Sequence, residues 1–197
     1  MIKCLTAMTL LATTTLSMAA GSPEAGEEKA ALCAGCHGED GNAAAPIFPK
    51  LAGQHASFLV KQLHDFRSQK RVEPTMNAMA EPLTDEDVLD LAAFYASKKI
   101  TPEEAAPNKS GEHLYKSGNP ATGVPACTGC HGPKGGGNPS AGFPSLHGQY
   151  AAYLEKTLHD FKNGERTNDS NNMMRHVAKH MSDEEIAAVS DYASTLK

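Results

Sequence analysis

Outside two short motifs this sequence has almost no cysteine. Four of its five fall in Cys33-Ala34-Gly35-Cys36 and Cys127-Thr128-Gly129-Cys130, and the fifth, Cys4, lies at the extreme N-terminus. No thiol is therefore left over for a Cys-ligated enzyme centre. Runs of β-branched residues are missing too, so no strand is expected, and the αβ pattern of a thioredoxin-like dithiol protein is absent. Basic residues are outnumbered, 18 Lys and Arg against 23 Asp and Glu. A nucleic-acid partner is excluded on that balance, because phosphate binding needs basic patches. The glycine run from Gly132 to Gly142 lacks the Lys-Ser/Thr ending of a phosphate cradle. No segment after the N-terminal leader is apolar enough to cross a bilayer.

The leader itself has the parts of a secretion signal. Lys3 is its positive end, Leu5 to Leu16 a short apolar and threonine-rich stretch, and Ser17-Met18-Ala19 a small-residue cleavage site. A membrane anchor is the alternative, but the stretch falls short of the roughly 20 residues needed to span. Residues 1–19 are thus predicted to be a signal peptide that directs the chain to the periplasm. The mature chain would begin at Ala20, without Cys4, and with a net charge of −6 once Lys3 is gone.

In that oxidising compartment thiols form disulfides unless another chemistry claims them. Here each pair is followed by histidine, as Cys33-Ala34-Gly35-Cys36-His37 and Cys127-Thr128-Gly129-Cys130-His131. C-x-x-C-H is the attachment signature of c-type haem. Thiols three residues apart share one side of a helical turn and can add to the two vinyl groups of one porphyrin. The adjacent imidazole then faces the iron. A single copy could be a redox dithiol or half a zinc site; two copies predict two covalently bound haem c groups.

The chain also repeats itself. Phe48-Pro49-Lys50-Leu51-Ala52-Gly53-Gln54 returns as Phe143-Pro144-Ser145-Leu146-His147-Gly148-Gln149, and Leu63-His64-Asp65-Phe66 as Leu158-His159-Asp160-Phe161. Leu83-Thr84-Asp85-Glu86 matches Met181-Ser182-Asp183-Glu184, and Tyr95-Ala96-Ser97 matches Tyr192-Ala193-Ser194. The offset drifts from 94 to about 98, which places insertions in loops between preserved elements. Two similar all-α domains are expected, 20–100 and 110–197, joined by a linker over 101–109. At this size a protein core alone is marginal, and a buried haem would complete it. Helices are predicted over Glu24–Gly35, Ser57–Ser68 and Thr84–Lys98. Thr84 acts as an N-cap and Ser182 opens a capping box in the second domain.

Five methionines follow the leader, in two clusters: Met76 with Met79, and Met173, Met174 and Met181. Clusters in loops are unlike ordinary core filling. Met76 stands seven residues before Leu83, and Met174 seven before Met181, so Met76 and Met174 form the equivalent pair. They are the expected axial ligands opposite His37 and His131, with Met173 the competing neighbour. A bis-His alternative would use the equivalent pair His64 and His159. His55, His113, His147, His176 and His180 have no repeat equivalents and are expected at the polar surface. The rings of His37 and His131 are expected to donate their other N–H to a backbone carbonyl, with Pro46 a candidate for the first.

Two C-x-x-C-H sites, each with a following F-P-x-L-x-G-Q segment and a late methionine, resemble the cytochrome c4 family, which is built of two tandem class I cytochrome c domains. The resemblance spans nearly the whole chain after the leader. It implies a periplasmic di-haem electron carrier, not an enzyme, of a kind often loosely membrane-associated. A membrane quinol-oxidising complex or dehydrogenase would be the donor and a terminal oxidase the acceptor. It also implies crossed first and last helices with a glycine against an aromatic, Gly26 with Tyr95 and Gly111 with Tyr192. Gly111 lies sixteen residues before Cys127, whereas Gly26 lies seven before Cys33, so the chain must break near Gly118-Asn119-Pro120. An alternative role is the electron-accepting subunit of an oxidoreductase such as a flavocytochrome c sulfide dehydrogenase. A di-haem peroxidase or thiosulfate-oxidising cytochrome would need an open or Cys-ligated iron. From Ala20 to Ala105 the net charge is −6, and from Ala106 to the end it is zero. The acidic half should favour ferric iron, so the first haem should have the lower potential.

Overall fold

The computed structural model describes residues 21–197. The expected signal peptide, including Cys4, lies outside them. Among the described residues there are ten α-helices and no β-strand. Isolated bridges at Asn119–Val124 and Asn138–Phe143 only pin loops. The first half contains α1 (Pro23–Lys29), α2 (Ala31–His37), α3 (Ala56–Arg67), α4 (Pro74–Ala80) and α5 (Asp85–Ser97). The second repeats them as α6 (Lys109–Ser117), α7 (Thr128–His131), α8 (Ala151–Asn163), α9 (Met173–Ala178) and α10 (Asp183–Ser194).

Local chemistry accounts for the helix starts. Thr84 accepts from Asp87 N while the Asp87 carboxylate accepts from Thr84 N, and Ser182 and Glu185 make the same reciprocal pair. Each box opens onto three acidic residues, which sit well at the positive end of a helix. The single helix predicted over Glu24–Gly35 is instead two, α1 and α2, divided at Ala30. The Ala30 N–H is shared between the Gly26 and Glu27 carbonyls. The predicted break before the second centre is present: α6 ends at Gly118, whose φ of +71° favours glycine.

Each half has its own core. In the first, Leu59 of α3 packs with Leu91, Ala92, Phe94 and Tyr95 of α5; in the second, Leu154 of α8 packs with Ile186, Val189, Tyr192 and Ala193 of α10. The terminal helices cross at glycine. A Cβ on Gly26 would lie 2.1 Å from Asp90 O, and one on Gly111 1.9 Å from Ala188 O, so only glycine lets the backbones approach this closely. Gly111 meets Tyr192, as expected. Gly26, however, meets Phe94 and not Tyr95. The matching Tyr-Ala-Ser endings are one residue out of register with the helix starts, and the crossing follows the starts.

That slip has a packing consequence. Tyr95 turns from α5 toward Gly41 and the Cys33 thiol, whereas in the second half Tyr115 reaches the neighbourhood of Cys127 from α6. Tyr115 is fully buried, with its hydroxyl donating 2.7 Å to Gly132 O. Small residues stand at the positions equivalent to these tyrosines, Ala30 closing α1 and Ala193 on α10. The same volume is therefore filled from opposite sides in the two halves.

The two halves meet through their F-P-x-L-x-G-Q segments. Gln149 accepts from Lys50 N at 2.9 Å and donates to Lys50 O at 2.8 Å. Gln54 accepts from Ser145 N at 3.0 Å and donates to Ser145 O at 2.9 Å. The same residues of the repeat make the same bonds in both directions, which is an approximate two-fold relation. Lys50 also lies over the Tyr150 ring, 4.2 Å from its centroid. His55 and His147, expected at the free surface, belong to this seam: His55 bonds to Gly136 O across it, and half-buried His147 bonds to Ser145 Oγ.

Candidate metal centres

α2 carries Cys33 in its first turn and Cys36 and His37 at its C-terminal end, and the single turn of α7 delivers Cys130 and His131 with Cys127 as its N-cap. Both helices stop immediately after the histidine, at Gly38 (φ +80°) and Gly132 (φ +76°), a conformation open to glycine. The four cysteines are unpaired. Cys33 and Cys127 are half-buried against their cores, and Cys36 and Cys130 are exposed. Burial pushes the Cys127 thiol up to about 11 and raises that of Cys33 as well. No group of three or more His, Cys, Asp or Glu that could hold a metal ion converges among the described residues.

The histidines are the most constrained members. His37 is 6% exposed and His131 7%. His37 Nδ1 is 2.9 Å from Pro49 O, and His131 Nδ1 is 3.0 Å from Pro144 O. The acceptor is therefore Pro49 and not Pro46. The equivalence of Pro49 with Pro144 makes the two centres alike, while Pro46 has no proline counterpart. The phenylalanine preceding each proline sets its ring against the imidazole, with centroids 6.3 Å apart for Phe48 and 6.4 Å for Phe143. A carbonyl at Nδ1 requires the proton there, so Nε2 carries the lone pair; among the described residues it has no hydrogen-bond partner. Burial keeps both rings neutral by lowering their pKa. A neutral imidazole fixed at Nδ1 and open at Nε2 is the donor a haem iron takes.

Met76 lies on α4 and Met174 on α9, so the methionines expected in loops stand on short helices. α4 is held at both ends of its first turn. The Glu73 carboxylate accepts from Met76 N at 2.8 Å, and Asn77 Nδ2 donates to Phe66 O and Arg71 O at 2.7 and 2.8 Å. α9 follows two left-handed asparagines, Asn171 and Asn172, and Asp169 accepts from both Arg175 N and Arg175 Nε. Met174 is half-buried, Met173 is 39% exposed, and Met181 is buried in the second core where Leu83 packs in the first. His64 and His159 are turned elsewhere. His64 Nδ1 bonds to Arg67 and lies 3.9 Å from Asp85, and His159 Nδ1 lies 3.9 Å from the equivalent Asp183.

Two further equivalent pairs have roles that the sequence does not display. Gln54 and Gln149 are the seam residues described above. Arg71 and Arg166, each five residues after the repeated phenylalanine, lie over the Phe66 and Phe161 rings. Both guanidinium groups donate to Gln62 Oε1 at 3.0 Å, and Arg71 also reaches Tyr153 OH at 3.1 Å. The two cations bring the Tyr153 hydroxyl down to about 8, although its burial acts the other way; burial lowers Arg166 to about 10. The repeat carried the signal, an arginine at one offset in both halves.

Comparison with known proteins agrees with this duplication. The family described as Cytochrome c matches twice, over residues 24–99 and 109–197. Cytochrome c4 of Thiocapsa roseopersicina is 54% identical over 180 residues, spanning 89% of this chain and 93% of that one. A thiosulfate dehydrogenase electron acceptor of Stutzerimonas stutzeri is 41% identical over 177 residues, 86% of this chain and 81% of the relative. The crystal structure of reduced recombinant cytochrome c4 from Pseudomonas stutzeri superposes with a TM-score of 0.87 at 46% identity, covering 90% of this chain and all of that one.

Proposed function

Because the chain belongs to the cytochrome c4 family of di-haem, c-type electron-transfer proteins, we propose that Cys33 and Cys36 attach one haem and Cys127 and Cys130 the other. His37 and Met76 would bind the first iron, and His131 and Met174 the second. Members of this family carry electrons and are not themselves enzymes. The bound haem supplies a one-electron iron couple, and the protein residues decide how that couple is used. The observation that carries the reading is the pair of buried imidazoles, each fixed at Nδ1 by a prolyl carbonyl and open at Nε2.

A thioether is a soft, neutral and weak donor. Paired with the imidazole, such a donor would favour ferrous iron and keep the site to electron exchange. The Glu73 cap on α4 and the Asp169 clamp on α9 fix the backbone at each methionine, limiting rearrangement between oxidation states. Among the described residues the Arg71 and Arg166 guanidinium groups hydrogen-bond only to the neutral side chains of Gln62, Tyr153 and Asn168, and as converging cations they suit haem carboxylates. The oxidised protein should show the weak far-red band of sulfur bound to ferric haem. Met174→Leu should remove half of it and open the second haem to carbon monoxide, while Met173→Leu leaves both unchanged. The reverse result would transfer the ligand role to Met173.

The cellular role follows as a shuttle of single electrons in the periplasm, from a membrane quinol-oxidising complex or a dehydrogenase toward a terminal oxidase. No helix among the described residues is long and apolar enough to cross a membrane. A second reading is favoured by the relative named a thiosulfate dehydrogenase electron acceptor: this chain would receive electrons from such a dehydrogenase without oxidising thiosulfate itself. Stopped-flow reduction by a purified thiosulfate dehydrogenase and by a quinol-oxidising complex distinguishes the donors. The physiological one should reduce the protein at a diffusion-influenced, salt-dependent rate.

A further inference from the structure

The bonds at the seam and the bonds at the two histidines share peptide groups. The carbonyl that accepts from His37 Nδ1 is that of Pro49, and the N–H on the other side of the same peptide bond, Lys50 N–H, donates to Gln149 Oε1 of the second domain at 2.9 Å. Reciprocally, Pro144 O accepts from His131 Nδ1, and Ser145 N–H across that peptide bond donates to Gln54 Oε1 of the first domain at 3.0 Å. Lys50 and Ser145 are 5% and 8% exposed, so water does not compete for these donors. The glutamine amides cannot be turned over. Each Oε1 also accepts the following backbone N–H, from His55 and Tyr150, and each Nε2 donates to the carbonyl of Ser145 or Lys50. A flip would set oxygen against oxygen and nitrogen against nitrogen.

A peptide group whose N–H is engaged becomes a better acceptor at its carbonyl, because amide resonance moves charge toward the oxygen. A stronger acceptor draws the Nδ1 proton of the histidine and makes the imidazole a stronger donor at Nε2. Resting on the axial role proposed for His37 and His131, we infer that Gln54 and Gln149 are positioning residues acting across the domain seam. Each tunes the haem iron of the opposite domain through one peptide group. The device is reciprocal by linkage: if docking of Gln149 favours ferric iron at His37, oxidation of that iron strengthens the docking by the same free energy. Electron occupancy and domain docking are thereby coupled in both directions.

The size follows from cooperative strengthening of about 10–30% on the Nδ1–H···O bond, whose donor gains positive character when the iron is ferric, which shifts the ferric–ferrous equilibrium about two- to fourfold. At 59 mV per tenfold for one electron that is about 20–35 mV. In the intact two-haem protein, Gln149→Leu should raise the potential of the haem held by His37 and leave the other unchanged, and Gln54→Leu should do the converse. Gln149→Glu, protonated in this buried seam, keeps both the acceptor for Lys50 N–H and a donor to Lys50 O, and should hold the first potential at or below the wild-type value. A merely structural seam predicts something different: water entering it would lower the potentials, and a perturbed domain would shift its own haem. A shift in the glutamine's own domain, a fall in potential, or no shift would overturn the inference.

The wild-type protein gives a test free of folding effects. Hydrogen exchange at Lys50 N–H and Ser145 N–H should be about two- to fourfold slower in the ferric than in the ferrous state. Equal rates would refute the coupling. Haem content and the far-red sulfur band are recorded on the same samples. If these fail, the axial assignment fails; if they hold while the potentials and exchange rates do not respond, only the seam coupling fails.

Discussion

Replacing Gly111 by alanine tests the packing of the second domain at its tightest point. The new Cβ would fall 1.9 Å from Ala188 O and 3.0 Å from Tyr192 Cβ. A backbone carbonyl in the middle of α10 cannot rotate away, so α6 must withdraw from the crossing. Overpacking costs about 1–3 kcal/mol, and a rigid backbone contact belongs at the upper end. Alanine returns up to about 1 kcal/mol of helix preference, leaving a net loss of about 2 kcal/mol. For a domain of this size that lowers the midpoint of thermal unfolding by about 8–16 °C. Withdrawal of α6 also moves Leu114 and Tyr115, both core residues close to Cys127. The second domain should therefore unfold first, and its haem absorbance should change at the lower temperature. Gly136→Ala serves as the control, because nothing lies within 4 Å of a Cβ there, and it should leave stability within about 0.5 kcal/mol. A Gly111→Ala protein melting with the wild type would show that the helices do not cross as described.

Other outcomes follow from the charges and caps. Hydrogen bonds from Lys29 and Thr84 hold the Asp87 carboxyl well below the usual carboxylate range. A depressed carboxylate stabilises the fold above its ordinary titration range and loses that contribution as pH falls through the lowered folded value. Acid should therefore loosen the α1–α5 clamp, and Lys29→Met should flatten this part of the pH dependence in an acid unfolding series. The net charge of −6 in the first half against zero in the second places the lower potential at the first haem at low ionic strength, with the gap narrowing as salt is added. Spectroelectrochemical titration resolves the order, and the opposite order would refute the electrostatic reasoning. Ser182→Ala removes half of a capping box and should cost the second domain about 1 kcal/mol in denaturant unfolding.

The parts legible in the sequence are those set by short-range chemistry or by duplication. The C-x-x-C-H spacing is local, so the cofactor class was readable from five residues, and the capping signals at Thr84 and Ser182 were readable for the same reason. Duplication separated Met76 and Met174 from the other methionines as an expectation. It would have chosen Pro49 over Pro46 as well, since only Pro49 has a proline partner in the second half. The Gly26 contact was misplaced because Tyr95-Ala96-Ser97 and Tyr192-Ala193-Ser194 match at their ends, while the crossing obeys the register set by the N-caps. The division at Ala30 had no sequence signal, alanine being the best helix former. Gln54 and Gln149 stood in the repeated segment without a visible role, because their partners are backbone groups of the other domain. A pattern of side chains does not display such pairings.

The central claim is that the chain folds twice around a covalently attached haem. Intact mass measurement of the purified protein, paired with a pyridine haemochrome assay, tests it most directly. The account predicts the mass of the chain from Ala20 plus two haems, two haemochrome equivalents per chain, and loss of one in either Cys33→Ala/Cys36→Ala or Cys127→Ala/Cys130→Ala. A chain carrying one haem or none, or haem that is extracted by acidified solvent, would contradict it.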